Sequence, residues 1–248
     1  MKCPCKRSQK FLISPRLLCG QNKLKLVEKT EEIFLYSVED EQDLADFCGE
    51  FEVLHYLDNF LILLPQECIT QRRIWGGFYH SFGAIYEKLI DKERNLECIK
   101  WMLQYIDQNM EIRFPKKVLD YGCGTGISME IGYNGMILGY EPIEAMRTQA
   151  IKKGMRVFCK SNIHSLPDGY FDAFFASYVF HMAINEQDVL QILSKVRVDA
   201  VGVANFYKGI NDVVVNNIFQ KLNFTVRKIE GIDERFGPVY EYRRKEGK

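Results

Sequence analysis

No apolar run in this chain approaches the roughly 18 residues that a membrane span needs, and the N-terminus carries no signal-peptide core. Net charge is missing too. With 33 Lys and Arg against 33 Asp and Glu, no global field directs the chain to nucleic acid or to an anionic membrane. Internal repeats and low-complexity segments are absent. Cysteine never occurs as a C-x-x-C pair, although the chain holds eight cysteines, so the usual four-ligand zinc pattern is not offered. These features predict a cytoplasmic protein whose cysteines are thiols. Cys48, Cys68, Cys98 and Cys159 lie in apolar or helical surroundings and read as core filler.

What is present is enough for a sizeable core: 248 residues, 47% of them hydrophobic, suit one large domain or a domain with an appendage. The zero net charge hides an asymmetry. Residues 1–27 hold seven Lys or Arg and no acid, whereas residues 28–52 hold ten acids and one Lys. Two solvated faces that attract each other account for this, with a nucleic-acid docking arm as the alternative.

The most informative stretch is Lys117-Val118-Leu119-Asp120-Tyr121-Gly122-Cys123-Gly124-Thr125-Gly126-Ile127. It reads as a buried strand that ends at a carboxylate, turns tightly and feeds a helix. Glycine suits such a turn because it reaches positive φ without strain and because a missing Cβ lets a ligand lie against the backbone. A dinucleotide fingerprint is G-x-G-x-x-G. Here Gly122, Gly124 and Gly126 are each two apart and Asp120 stands just before them. That pattern closely resembles motif I of the class I S-adenosylmethionine-dependent methyltransferases.

Downstream, strands and helices alternate, which predicts a parallel sheet covered on both faces. Met136 to Tyr140 is a compact apolar strand, and Glu141 follows at its tip, 21 residues after Asp120. An acid there can accept hydrogen bonds from both hydroxyls of a ribose lying across the glycine turn; the resemblance implies that role, and capping of the next helix is the plainer reading. Pro142 and Met146 continue the likeness, with Met146 an apolar contact for adenine. Where relatives often carry Asp-Ala-x-x-Leu-Pro, this chain has Asn162-Ile163-His164-Ser165-Leu166-Pro167. The Asn162 amide oxygen can still accept from the adenine amino group. His164 reads as a loop residue. A fourth strand, Phe171 to Ala176, leads into Ser177-Tyr178-Val179-Phe180-His181, which resembles the motif IV region beside the transferable methyl. Gln187 to Val196 reads as a helix, Ala200 to Phe206 as a fifth strand, Val213 to Leu222 as the last long helix, and Phe224 to Ile229 with Val239 to Arg243 as a closing hairpin.

Upstream, Leu44, Phe47, Cys48, Phe51, Leu54 and His55 fall at three- and four-residue steps and predict a helical face that Pro65 closes. Phe78, Phe82 and Tyr86 recur at helical spacing, a stripe that reads first as core. The family resemblance implies a helix over the methionine end of the cofactor, with Tyr79, His80 and Tyr86 on it. Asp91 is placed to cap a further helix with Leu96, Ile99, Met102, Leu103 and Ile106 as its apolar stripe. Cys3, Cys5 and Cys19 faintly resemble the zinc-ribbon-like segment that precedes some methyltransferase domains, but they fall short of four ligands. No metal is expected.

The expected fold is α/β: a Rossmann-like, seven-stranded, mostly parallel sheet with an antiparallel closing hairpin, preceded by a small β segment (residues 1–36) and a helical cap (37–110), with the core at 111–248. The resemblance implies S-adenosyl-L-methionine as cofactor, held by Tyr86, Asp120, Gly122, Cys123, Gly124, Gly126, Glu141, Pro142, Met146, Asn162, Ile163 and Ser177, with His181, Tyr178 and His80 on the catalytic side. A small-molecule acceptor is expected. An RNA or protein methyltransferase that docks through the basic N-terminus, and a non-catalytic cofactor-binding subunit, are the alternatives. No signal of oligomeric state is legible.

Overall fold

A computed structural model describes residues 10–14, 24–29, 34–38, 51–56, 60–65, 71–110, 116–181, 185–209 and 211–245. The chain divides into two compact units, residues 1–90 and 91–248. The boundary precedes the helix that leads into the glycine turn, so that helix falls in the second unit.

The first unit contains a five-stranded sheet in the order β2-β3-β1-β5-β4, built from β1 (Lys10–Ser14), β2 (Leu24–Lys29), β3 (Phe34–Val38), β4 (Phe51–Tyr56) and β5 (Phe60–Pro65). Leu12, Leu24, Tyr36, Val38 and Leu61 pack together as its core. Here the helical expectation fails: Phe51–Tyr56 is a strand paired antiparallel with Phe60–Pro65. The hairpin partner decides the conformation, overriding a spacing that a short apolar stretch satisfies for either period. Leu44, Phe47, Cys48 and the three N-terminal cysteines lie outside the described residues. Then come α1 (Gln71–Phe82) and α2 (Tyr86–Leu89). Phe78 and Phe82 are buried, as the core reading of the stripe expects, with ring centroids 5.5 Å apart.

The second unit opens with α3 (Lys92–Gln108), whose first turn is capped by Asp91 accepting the Arg94 N–H at 3.0 Å. Its buried face is Cys98, Ile99, Met102, Leu103 and Ile106. A seven-stranded sheet follows in the order β11-β12-β10-β9-β6-β7-β8. Its members are β6 (Lys117–Tyr121), β7 (Met136–Tyr140), β8 (Arg156–Phe158), β9 (Phe171–Ala176), β10 (Val196–Asn205), β11 (Phe224–Ile229) and β12 (Val239–Arg244). β6 to β10 run parallel; β12 pairs antiparallel with β10, and β11 forms an antiparallel hairpin with β12. Between them lie α4 (Glu144–Lys152), α5 (Lys160–Ile163), α6 (Glu186–Leu193) and α7 (Asp212–Lys221). β10 starts four residues earlier than its apolar run suggests, because Val196 already pairs with Phe171 before a shift in register. Phe174, Phe219, Phe224 and Tyr242 form the aromatic centre of the core, with Phe219 and Tyr242 centroids 4.0 Å apart. Among the described residues no helix is long and apolar enough to cross a membrane, and no group of His, Cys, Asp or Glu has the makings of a metal site.

Candidate active site

The strand β6 ends at Tyr121, and the chain then turns through Gly122, Gly124 and Gly126 at φ of 75°, 55° and 75°. These are left-handed conformations that side chains resist. The turn is tied to the neighbouring strand: the N–H groups of Gly122 and Cys123 both donate to the Tyr140 carbonyl, at 2.8 and 3.1 Å. The three glycines differ in what surrounds them. A Cβ on Gly122 would lie 2.6 Å from Val179 Cγ2, and one on Gly126 would lie 2.9 Å from Ala150 Cα, so these two let the turn pack against the loop after β9 and against α4. At Gly124, among the described residues, only the Met146 methyl, at 3.5 Å, comes within 4 Å of such an atom. The middle glycine therefore presents bare backbone. After the turn the chain forms a helix, as expected, in the shape of a five-residue 3-10 helix, Ile127–Ile131; Gly132 at φ 68° ends it.

Two buried carboxylates flank the turn. Asp120 accepts the Ser128 hydroxyl at 2.6 Å. Burial pushes its carboxyl up to about 7, against the Ser128 hydrogen bond and with help from the Glu141 charge. Glu141, at the tip of β7, accepts the Gly124 N–H through Oε2 at 3.0 Å and the Ile143 N–H through Oε1 at 2.9 Å. It too is raised by burial to about 7, against the pull of those two N–H groups and of Arg147. Arg147 fixes the backbone beneath it by donating to the carbonyls of Glu141 and Pro142 at 2.9 and 3.1 Å. The capping and ligand readings of Glu141 are compatible. A carboxylate has about four lone-pair positions, and the two backbone bonds use two.

Other expected cofactor contacts are placed differently. The Asn162 side-chain oxygen accepts the Cys159 N–H at 2.7 Å and so caps α5. Ile163 is fully buried in the main core, and its own N–H donates to the Cys159 carbonyl. The chain here is a short helix that uses these groups itself. Met146 is buried beside the middle glycine, and Pro142 is exposed. Cys123 is buried within the turn, and burial holds its thiol well above the usual range.

On the catalytic side, Tyr178 sits at φ 54°, a conformation that costs a non-glycine residue about 1–3 kcal/mol and persists only when neighbours hold it. The neighbours are evident. Its N–H donates to Asn205 Oδ1 at 2.7 Å, and the Arg94 guanidinium lies 5.6 Å from its ring centroid. Its hydroxyl is directed to the Arg235 carbonyl at 3.3 Å and interacts with the Cys98 thiol of α3, while the buried Ser177 hydroxyl has no hydrogen-bond partner among the described residues. Tyr178 thus points its phenol at α3 and the 234–236 turn and not at the glycine turn; burial raises its pKa above the ordinary value. His181 is buried, and burial draws it down to about 4, so its ring is neutral at physiological pH. His80 and Tyr86 belong to the first unit. There His80 is exposed and Tyr86 packs edge-on against Tyr79 at 5.4 Å. Sequence reasoning missed Ser128, Val179 and Asn205. Of these, Asn205 left a trace, as a lone amide inside the apolar run Val201-Gly202-Val203-Ala204-Asn205-Phe206.

Residues 119–197 match the family model described as a methyltransferase domain. A ubiquinone biosynthesis O-methyltransferase from Pectobacterium atrosepticum is 31% identical over 103 residues, 38% of this chain and 43% of that protein. The protein of the same description from Shewanella sp. strain ANA-3 is 44% identical over 61 residues, 22% of this chain and 26% of its own length. The chain thus spans less than half the length of these curated relatives. Among solved structures, magnesium protoporphyrin IX methyltransferase from Synechocystis PCC 6803 with bound SAM superposes with a TM-score of 0.53 at 13% identity, covering 72% of this chain and 99% of that one. That likeness is one of fold. The glycine turn, Glu141 and the parallel strands that position them all fall within the matched segment or border it: residues 119–197 carry a methyltransferase domain, in the fold of the class I S-adenosylmethionine-dependent methyltransferases.

Proposed function

We propose that this chain is an S-adenosylmethionine-dependent methyltransferase acting on a small-molecule acceptor. The observation that carries the reading is the bond from Gly124 N–H to the Glu141 carboxylate, which joins an acid suited to a ribose to the least crowded of the three glycines in the turn. The cradle fits the cofactor: a side chain at Gly124 would fill it. Glu141 would accept the ribose hydroxyls with its remaining lone pairs, Met146 would supply an apolar wall, and Asp120 with Ser128 holds the floor of the turn.

When bound, the sulfonium supplies an electrophilic methyl group. This chain's residues then have to align the acceptor and exclude water, which can account for roughly 7–11 kcal/mol of barrier lowering. His181, drawn down to about 4, is poorly matched to act as a general base near neutral pH, where the effective catalytic pKa lies close to the working pH. An acceptor acidic enough to ionise by itself suits this site. The small-molecule assignment draws on the relatives, which are O-methyltransferases of ubiquinone biosynthesis. Cytoplasmic location is part of the proposal, supported by the free thiols of Cys98, Cys123 and Cys159.

Calorimetric titration with S-adenosylmethionine, S-adenosylhomocysteine and NAD, repeated on Glu141→Ala, tests the proposal. The expected result is binding of the first two, weakened in the variant, and none of NAD. Binding of NAD alone, or of nothing, would overturn it.

A further inference from the structure

Asn205 is the last residue of β10 and is fully buried. Both ends of its amide are used: the oxygen accepts the Tyr178 N–H at 2.7 Å, and the nitrogen donates to the Phe236 carbonyl at 2.8 Å. A primary amide offers an acceptor and a donor side by side in one plane, so one side chain joins two loops that are 58 residues apart in sequence.

Each loop is held closely at its other side. Tyr178 is kept at φ 54°, and the next residue, Val179, lies against the glycine turn, where it leaves no room for a Cβ at Gly122. Phe236 precedes Gly237 at φ 74°, where a Cβ would overlap the Phe206 carbonyl. Phe206 N–H in turn donates to Pro238 O at 2.9 Å. Asn205 pairs with Val239 at the start of β12. The 233–238 loop therefore lies at the carboxyl end of β10, the end at which the parallel strand β6 carries the glycine turn. Ligands of open α/β sheets bind at that end.

We infer that Asn205 is a positioning residue that couples the 233–238 loop to the glycine turn through Tyr178 and Val179, so that the conformation of this loop sets the affinity for the cofactor. An acceptor that orders the loop then tightens the cofactor, and the coupling is reciprocal. The inference rests on the reading of the turn as the S-adenosylmethionine site. The competing account is that Asn205 satisfies buried backbone groups and affects stability alone.

The experiment is calorimetric titration of S-adenosylhomocysteine into the full chain, its Asn205→Ala and Gly237→Ala variants and the double variant, with thermal unfolding of each. Val203→Ala, a truncation at another fully buried position of β10, is the control for stability. The expected result is that Asn205→Ala and Gly237→Ala each raise Kd about tenfold, and that the double variant is no weaker than either, as for residues acting as one unit. Val203→Ala should lower the melting temperature and leave Kd unchanged. Wild-type affinity in both single variants, additive losses, or a loss in Val203→Ala that tracks its melting temperature would overturn the inference and leave the cofactor reading standing. Should Asn205→Ala fail to fold, Gly237→Ala decides by itself: unchanged Kd overturns the coupling, and a tenfold rise supports it. Failure of the wild type to bind S-adenosylhomocysteine would overturn both.

Discussion

The Glu141 carboxylate and the Gly124 N–H are joined by a 3.0 Å hydrogen bond, although 17 residues separate them in sequence. The tip of β7 and the turn leaving β6 therefore move as one piece, and the acid is oriented before any ligand arrives. Such orientation lowers the cost of binding, because the side chain has little freedom left to lose.

Glu141→Ala should weaken S-adenosylhomocysteine binding about a hundredfold, since two charge-assisted hydrogen bonds at about 1.5 kcal/mol each are lost. Glu141→Gln should fall between the variant and the wild type, because the amide keeps one acceptor. Calorimetric Kd values check the order; equal affinity across the three proteins would remove Glu141 from the site.

How much of this was legible in the sequence depends on how local the determinants are. The Val118-Leu119 strand, the alternate glycines and Glu141 at the next strand tip lie within 24 residues of one another, and apolar runs broken by glycine report them directly. The stripe of α3 was readable for the same reason, apart from Cys98 replacing Leu96 on the buried face. Phe51–Tyr56 was not, because its partner Phe60–Pro65 and the five-stranded sheet decide its conformation. The short helix Lys160–Ile163 was not legible because nothing in Lys160-Ser161-Asn162-Ile163 announces the capping of Cys159 N–H by the Asn162 side chain. Asn205 was invisible as a clamp because its partners lie 27 and 31 residues away on opposite sides.

Gly126→Ala and Gly132→Ala make an informative pair. Both glycines have positive φ, 75° and 68°, but a Cβ at Gly126 would sit 2.9 Å from Ala150 Cα, whereas one at Gly132 would meet nothing within 4 Å among the described residues. Conformational strain costs about 1–2 kcal/mol at either site, and overpacking against α4 adds about 1–3 kcal/mol at the first only. Urea unfolding should therefore show Gly126→Ala to be clearly the less stable. Equal losses would mean that α4 can move away from the turn.

Gly202 in β10 faces the Phe174 ring so closely that a Cβ would overlap it. Gly202→Ala is expected to destabilise the protein by about 1–3 kcal/mol through overpacking. Phe174→Leu should cost a similar amount through the space it leaves in the aromatic cluster. The double variant should be more stable than the sum of the two losses predicts, because the new methyl fills part of that space. Strict additivity in denaturant unfolding would show that the two positions do not share a packing site.

Lowering the pH from 7.5 to 5.5 is expected to stabilise the ligand-free protein and to weaken its hold on the cofactor. The sign follows from Asp120 and Glu141, whose ordinary values of 3.8 and 4.5 are raised by burial to about 7 in the fold. Between about 4 and 7 the folded state holds protons that the unfolded chain has released, so stability rises as pH falls through this window. His181 works in the opposite direction, because burial lowers it from 6.5 to about 4 and the unfolded chain takes up its proton first. Two carboxyls outweigh one imidazole. Glu130, lowered by Lys153 and Lys92, loses its contribution only as pH falls below about 4.5, outside the window. A higher urea midpoint at pH 5.5 than at 7.5, with the difference reduced in Glu141→Gln, is the expected outcome. In the proposed binding mode ribose hydroxyls would donate to the ionised form of Glu141, so S-adenosylhomocysteine affinity should fall over the same interval. Slopes of the same sign for stability and affinity would show that the carboxyl titrating near neutrality is not the one that meets the ligand.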